Sequence, residues 1–195
     1  MHDYSPPSSP PLLPAQWSGA YISYWSPMQP DDQITSGYCW FDYTRNICRI
    51  DGLFNPWSEK ETGHRLWMSE IGNAERKLSH KQKIAYSREM MDFGVALFEM
   101  PEREVTPFEQ LYLPRALLQE NHAVYAGNES ILGQTADAWT FTKQGKDPST
   151  YYFKAGTDLL LRMVTGDPKQ HASVRDFPCI ATHPIPDWIF DTGKQ

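Results

Sequence analysis

The chain has few cysteines, and none in a pattern that builds anything. They stand at positions 39, 48 and 179; the spacing matches no zinc motif, and an odd number cannot pair completely within one chain. Reduced thiols in a cytoplasmic protein fit that usage. No apolar run approaches the roughly 20 residues of a membrane span, so no membrane partner is expected. Residues 1–14, MHDYSPPSSPPLLP, have neither a basic leader nor a continuous apolar stretch, which argues against a secretory signal. Excess positive charge is missing too: the net charge is −6 and the pI near 5.5, which argues against a nucleic-acid partner. The basic group Arg76, Lys77, His80, Lys81 and Lys83 reads as a local solvated face. There is no glycine-rich dinucleotide loop, phosphate loop or nucleophile elbow. The histidines at 2, 64, 80, 122, 171 and 183 form no HExxH pair, and His64, near the aromatic segment, has no evident metal partner. Asp31-Asp32, following Pro30, reads as a turn cap rather than an acid–base pair. No metal or cofactor is expected. Any chemistry falls to ordinary polar side chains acting on a reactive substrate.

Proline and aromatics are what the chain has in quantity. Of 16 prolines, five fall within the first 14 residues, so 1–14 read as a disordered or extended tail. The remainder, 15–192, is short enough for one domain and long enough to bury a core. Aromatic residues make up 13% of the chain, and residues 17–67 hold five of the seven tryptophans. Such density, interrupted by Ser23, Asp42, Asn55 and Glu70, suits a cavity for a flat aromatic ligand. It suits an aromatic core as well, and Trp17, Trp25 and Trp40 fit either.

Residues 17–26 read as a strand, with Tyr21, Ser23 and Trp25 on one face and Ala20, Ile22 and Tyr24 on the other. Residues 33–43 and 46–53 read as a hairpin turning at Thr44-Arg45. That register pairs Phe41 with Cys48 and Cys39 with Ile50, giving one apolar face; Trp40, Asp42, Arg49 and Asp51 share the other. The two cysteines are then diagonal neighbours, too far apart for an easy disulfide. From 64 to 71 a further strand sets Glu70 in line with Leu66 and Met68. Glu70 fits an apolar pocket or, slightly better by position, a water-facing strand end. Residues 81–92 read as a strand and the segment after Pro114 as a short helix. Three more strands follow, over ESILGQTADAWTFTKQG, STYYFKAG and LLLRMVTGD, turning at 145–148 and 156–158. A last strand over 174–180 and a short helix over 185–191 complete the pattern. The fold class is mainly β: one large antiparallel sheet with a few short helices, curling into a barrel or half-barrel.

The run WSGAYISYWSPMQPDDQITSGYCWFDYTRNICRIDGLFNPWSE, continued by HRLWMSEIGN and, near the other end, RMVTGD and SVRDFP, strongly resembles the VioE family of violacein biosynthesis enzymes. The similarity covers about 11–73 and 145–178 and is weak over 74–144. The resemblance implies a curved antiparallel sheet forming an incomplete barrel, similar to bacterial lipoprotein carriers, and a homodimer. It implies a cofactor-independent enzyme that takes the short-lived coupled imine of indole-3-pyruvate, made by an upstream haem enzyme. The family directs a 1,2-shift of one indole ring, giving protodeoxyviolaceinic acid and then prodeoxyviolacein; without it the intermediate drifts to chromopyrrolic acid. Carried over onto this sequence, the family site maps to Tyr21, Ser23, Phe54, Asn55, Glu70 and Arg175. The expected catalytic groups are Glu70 (proton transfer), Ser23 and Asn55 (hydrogen bonds to imine or carboxylate). Expected to bind substrate are Arg175 (carboxylate clamp), Phe54 (indole stacking) and Tyr21. Competing readings are a carrier that merely shelters the imine, and a scaffold in transient contact with the upstream haem enzyme.

Overall fold

The computed structural model describes residues 7–53, 64–87, 104–107 and 113–192. Strands β1 (Gln16–Ser26), β2 (Thr35–Asp42), β3 (Ile47–Leu53), β4 (His64–Asn73), β5 (Leu78–Ser87) and β6 (Glu104–Pro107) come first. After the short helix α1 (Leu117–Glu120) follow β7 (Val124–Ile131), β8 (Gln134–Thr142), β9 (Pro148–Lys154), β10 (Leu160–Thr165) and β11 (Ala172–Ala181). A 3-10 helix, Asp187–Phe190, comes last. The hydrogen-bonded order is β6-β5-β4-β3-β2-β1-β11-β10-β9-β8-β7. That order has two ends, so the expected antiparallel sheet is open. No helix among the described residues is long and apolar enough to cross a membrane. Contacts group the chain into two compact units. One holds Ala15–Ala20, Thr35–Leu113 and Ala181–Gln195; the other holds Met1–Pro14, Tyr21–Ile34 and Pro114–Ile180.

In the unit built on β2–β6, the β2–β3 hairpin has the register expected from its pattern, with Phe41 opposite Cys48 and Cys39 opposite Ile50. All four are buried, and Trp17 stacks on Phe41 at 4.7 Å, which makes Trp17 a core residue. The opposite face is covered as well. Trp40 and Ile47 pack against Ile71, Ile185, Ile189 and Phe190, and Arg49 donates to the Ile189 carbonyl at 2.8 Å while lying over the Trp40 ring. The alternation marks this second face but is silent on its cover, because the covering residues are over a hundred positions away.

Asp42 organises the hairpin turn. Its carboxylate accepts from Thr44 N, Thr44 Oγ1 and Arg45 N through one oxygen, and from Arg45 Nε and Gln16 Nε2 through the other. Burial alone pushes its pKa up, but the hydrogen bonds from Thr44 and Arg45 and the guanidinium charge outweigh that, and the net shift is downward. A lowered folded pKa stabilises above the unfolded value, near ~3.9, and the contribution fades as pH falls through the folded value. Asp42→Ala is therefore expected to cost about 2 kcal/mol at neutral pH, since the buried carboxylate is the shared acceptor that holds the turn. Urea melts at pH 7 and in acid check this: the gap between parent and variant shrinks below about pH 4. A gap independent of pH overturns it.

None of the three cysteines is in a disulfide, and the Cys39 thiol donates to the Gly19 carbonyl at 3.4 Å. Cys39 and Cys48 are buried, and burial, reinforced by the Glu70 charge, pushes the Cys48 thiol up to about 12. Cys179, on β11, is exposed.

In the unit built on β7–β11, one expectation needs correction. The segment ESILGQTADAWTFTKQG is not one strand; β7 and β8 form a hairpin through it, and Ile131 pairs with Gln134. The turn is Leu132-Gly133, with φ of 50° and 74°. A leucine stands where Asn or Asp usually marks such a turn, which hides the signal. The rest of the unit follows the pattern: β9, β10 and β11 pair antiparallel, and α1 begins shortly after Pro114. One face of the unit packs Ile131, Ala136, Ala138, Tyr152, Leu161, Val164, Ala172 and Val174 into a cluster. Residues 7–14 form neither helix nor strand and bend at Ser8-Ser9, and contacts hold Pro10 and Leu13 in place. Leu13 is buried, exchanges hydrogen bonds with the Arg115 backbone and side chain, and the Pro10 carbonyl accepts from Gln119. The strand expected over 81–92 is β5, Leu78–Ser87; 88–92 lie outside the described residues.

Candidate active site

Three of the six expected site residues come together in the β7–β11 unit. Tyr21 and Ser23 alternate onto one face of β1, and Arg175 stands on β11. Arg175 Nε donates to Ser23 Oγ at 2.8 Å, and the guanidinium carbon lies 5.0 Å from the centre of the Tyr21 ring. Across the sheet Arg175 pairs with Met163, Met163 with Tyr151 and Tyr151 with Trp139. Paired residues share a face, so the arginine heads a row that turns aromatic. Phe141 meets Tyr151 edge-on at 5.0 Å. Burial pushes the Tyr151 phenol up, and the Arg175 charge opposes it.

The unit sorts its two strand arginines onto opposite faces. Arg162 on β10 pairs with Asp176 through Nε and Nη2, at 2.5 and 2.9 Å, and Tyr24 joins the same carboxylate. Asp176 is thereby satisfied on the face opposite Arg175. Arg175 itself forms no ion pair among the described residues. Among the described residues its guanidinium meets the Ser23 hydroxyl and the Tyr21 ring, with the Tyr151 phenol within reach of its charge, and no hydrogen bond occupies its two terminal nitrogens. A planar fork of this kind binds carboxylates in a bidentate manner.

Further residues beside this face of β1 and β11 were not assigned to the site by pattern reading. Trp25 stacks on His171 at 4.5 Å and 11°, and His171 Nε2 meets Asp32 Oδ2 at 2.8 Å. The Gln29 N–H donates to the same Asp32 oxygen at 2.6 Å; that bond, with His171 second, holds the carboxyl below its usual range. Asp32 is thus a turn residue, as expected, and a partner for His171 as well. The signal was present, since 21, 23 and 25 alternate together; what the sequence lacked was the pairing of β1 with β11.

Glu70 lies in the β2–β6 unit. The water-facing reading is corrected: Glu70 is 2% exposed, because Cys39, Ile50, Glu70 and Lys81 align in one cross-strand row on the apolar face. Lys81 Nζ stands 3.8 Å from Glu70 Oε1. Lys81 is therefore an interior counter-charge and not part of a solvated basic face. Phe54 and Asn55 lie outside the described residues. Among the described residues no group of three or more His, Cys, Asp or Glu is placed to hold a metal. An open cavity of about 850 Å³ in the β7–β11 unit, between residues 7–12, Trp139 and the turn at 156–158, is lined by none of the expected site residues.

Over residues 10–190 the chain matches the family described as violacein biosynthetic enzyme VioE. The chain belongs to the VioE family. Membership places it in violacein biosynthesis and accounts for the motifs at both ends of the sequence. No curated protein matches the chain. Among solved structures, an uncharacterized conserved protein from Thermus thermophilus aligns over 91% of this VioE-family chain and 85% of its own length, with 10% identity and a TM-score of 0.52. That likeness shows the fold alone. A chain of the Pseudomonas aeruginosa MucA/MucB complex aligns at 11% identity and TM-score 0.45, over 91% of this chain but 56% of that one. A LolA superfamily protein from Nitrosomonas europaea aligns over 93% and 92% at 10% identity and TM-score 0.41.

Proposed function

We propose that this chain directs a cofactor-independent 1,2-indole shift in the coupled imine of indole-3-pyruvate, yielding protodeoxyviolaceinic acid and then prodeoxyviolacein. Family membership supports the pathway; the observation that carries the site is Arg175, held by Ser23 and Tyr21 and unpaired by any acid among the described residues. The substrate presents carboxylates and two flat indoles. Arg175 takes a carboxylate through its terminal nitrogens. Ser23 uses its oxygen to accept from Arg175 Nε and keeps its O–H to donate to the imine or carboxylate. Tyr21 forms the ring wall beside them. Glu70 moves protons as the indole migrates, and Phe54 and Asn55 complete the set as the family resemblance implies. The substrate is already reactive, so the task is selection between two downhill routes. A barrier difference of about 3 kcal/mol gives a product ratio above ~100, within what positioning supplies. The reading includes a cytoplasmic homodimer that transiently meets the haem enzyme making its substrate.

The test is a product assay with purified tryptophan oxidase and coupling enzyme, with and without this protein, read by mass-resolved chromatography. Diversion of chromopyrrolic acid to prodeoxyviolacein by substoichiometric protein is expected. Diversion only at stoichiometric amounts makes the protein a carrier; unchanged products overturn the reading.

A further inference from the structure

Trp25 is 40% exposed, although it shares a strand face with Tyr21, which is 2% exposed. A large indole left in water beside a buried aromatic is not explained by the core. Its orientation is nonetheless fixed. His171 stacks under it, Asp32 holds His171, and the Gln29 N–H holds Asp32. Three successive contacts locking a partly exposed ring is the arrangement of a preorganised binding surface.

We propose that Trp25 is the stacking platform for the second indole of the substrate, oriented by His171 and Asp32. The proposal rests on the reading of Arg175 as the carboxylate anchor. Two contacts fix the geometry independently: Arg175 meets Ser23, and His171, immediately before β11, meets Trp25. Arg175 stands four positions after His171, about 13 Å at ~3.3 Å per residue. A span of that length is enough to set one indole near Arg175 and another on Trp25. A mono-indole acid uses only the Arg175 end, so Trp25 distinguishes two-indole ligands from one-indole ligands.

The experiment is calorimetric titration of the full chain with chromopyrrolic acid, a stable bis-indole dicarboxylate, and with indole-3-lactate, a mono-indole acid. Trp25→Ala is expected to weaken the bis-indole about tenfold, from the loss of one offset stack, and to leave indole-3-lactate unchanged. Trp25→Phe retains most of the affinity, and His171→Ala gives a smaller loss confined to the bis-indole. Equal effects of Trp25→Ala on both ligands, or none on either, overturn the proposal. So does an altered sedimentation mass with binding intact, which makes Trp25 a protein contact. If Arg175→Ala abolishes both ligands while Trp25→Ala affects neither, the anchor stands and the platform falls. If the parent binds neither ligand, both readings fall together.

Discussion

Arg175→Ala is expected to weaken carboxylate binding about 100-fold, the usual scale for removing one partner of a desolvated charge-assisted pair. It is also expected to return the product from prodeoxyviolacein to chromopyrrolic acid. Stability is expected to change by less than about 1 kcal/mol, because Arg175 neutralises no acid among the described residues and its loss strands no buried carboxylate. The bond from its Nε to Ser23 and its contact with the Tyr21 ring are lost. Arg162 provides the contrast: its removal leaves Asp176 buried without its cation, so Arg162→Ala acts on stability. Arg175→Lys keeps the charge but not the planar fork, and restores only part of the binding. Titration with indole-3-lactate and the product assay together check this. A variant with parental affinity and product ratio removes Arg175 from the site.

The second large effect is expected at the Glu70–Lys81 pair. Glu70 is 2% exposed and Lys81, 3.8 Å away, is the cation that balances it. Lys81→Met leaves the carboxylate buried without that charge and is expected to lower stability by about 3 kcal/mol at pH 7. Glu70→Gln together with Lys81→Met recovers most of it, since an amide and a thioether carry no charge to desolvate. The catalytic part is read separately. Glu70→Gln and Glu70→Ala keep the protein folded but cannot accept a proton, so product shifts toward chromopyrrolic acid. Should the double variant be stable and make parental product, Glu70 is a structural ion pair and another group moves the proton.

Much of this was legible in the chain because β-pairing of adjacent strands is local. Alternation over 38–51 set the β2–β3 register, and Pro114 announced α1. What failed to show was long-range. Glu70 looked like a strand-end carboxylate because its burial depends on Cys39 and Ile50 across two strands and on Lys81 in a third. The joining of Ser23 to Arg175, and of Trp25 to His171, rests on contacts about 150 residues apart in sequence, beyond any periodicity. The family resemblance supplied Ser23 and Arg175 but carried no word of Trp25, His171 or Asp32. The β7–β8 turn was missed for a local reason, a leucine at positive φ.

The cysteine inventory makes this protein easy to instrument. Maleimide attacks thiolates, and Cys48, buried with its thiol pushed up to about 12, offers almost none at neutral pH. Cys39 is buried as well, whereas Cys179 is exposed. A dye or spin label therefore attaches at one position without engineering. That position stands four residues beyond Arg175 on the same strand face, about 13 Å along β11. A polarity-sensitive fluorophore there becomes a reporter of occupancy, following a short-lived ligand in real time where product chromatography sees only the end point.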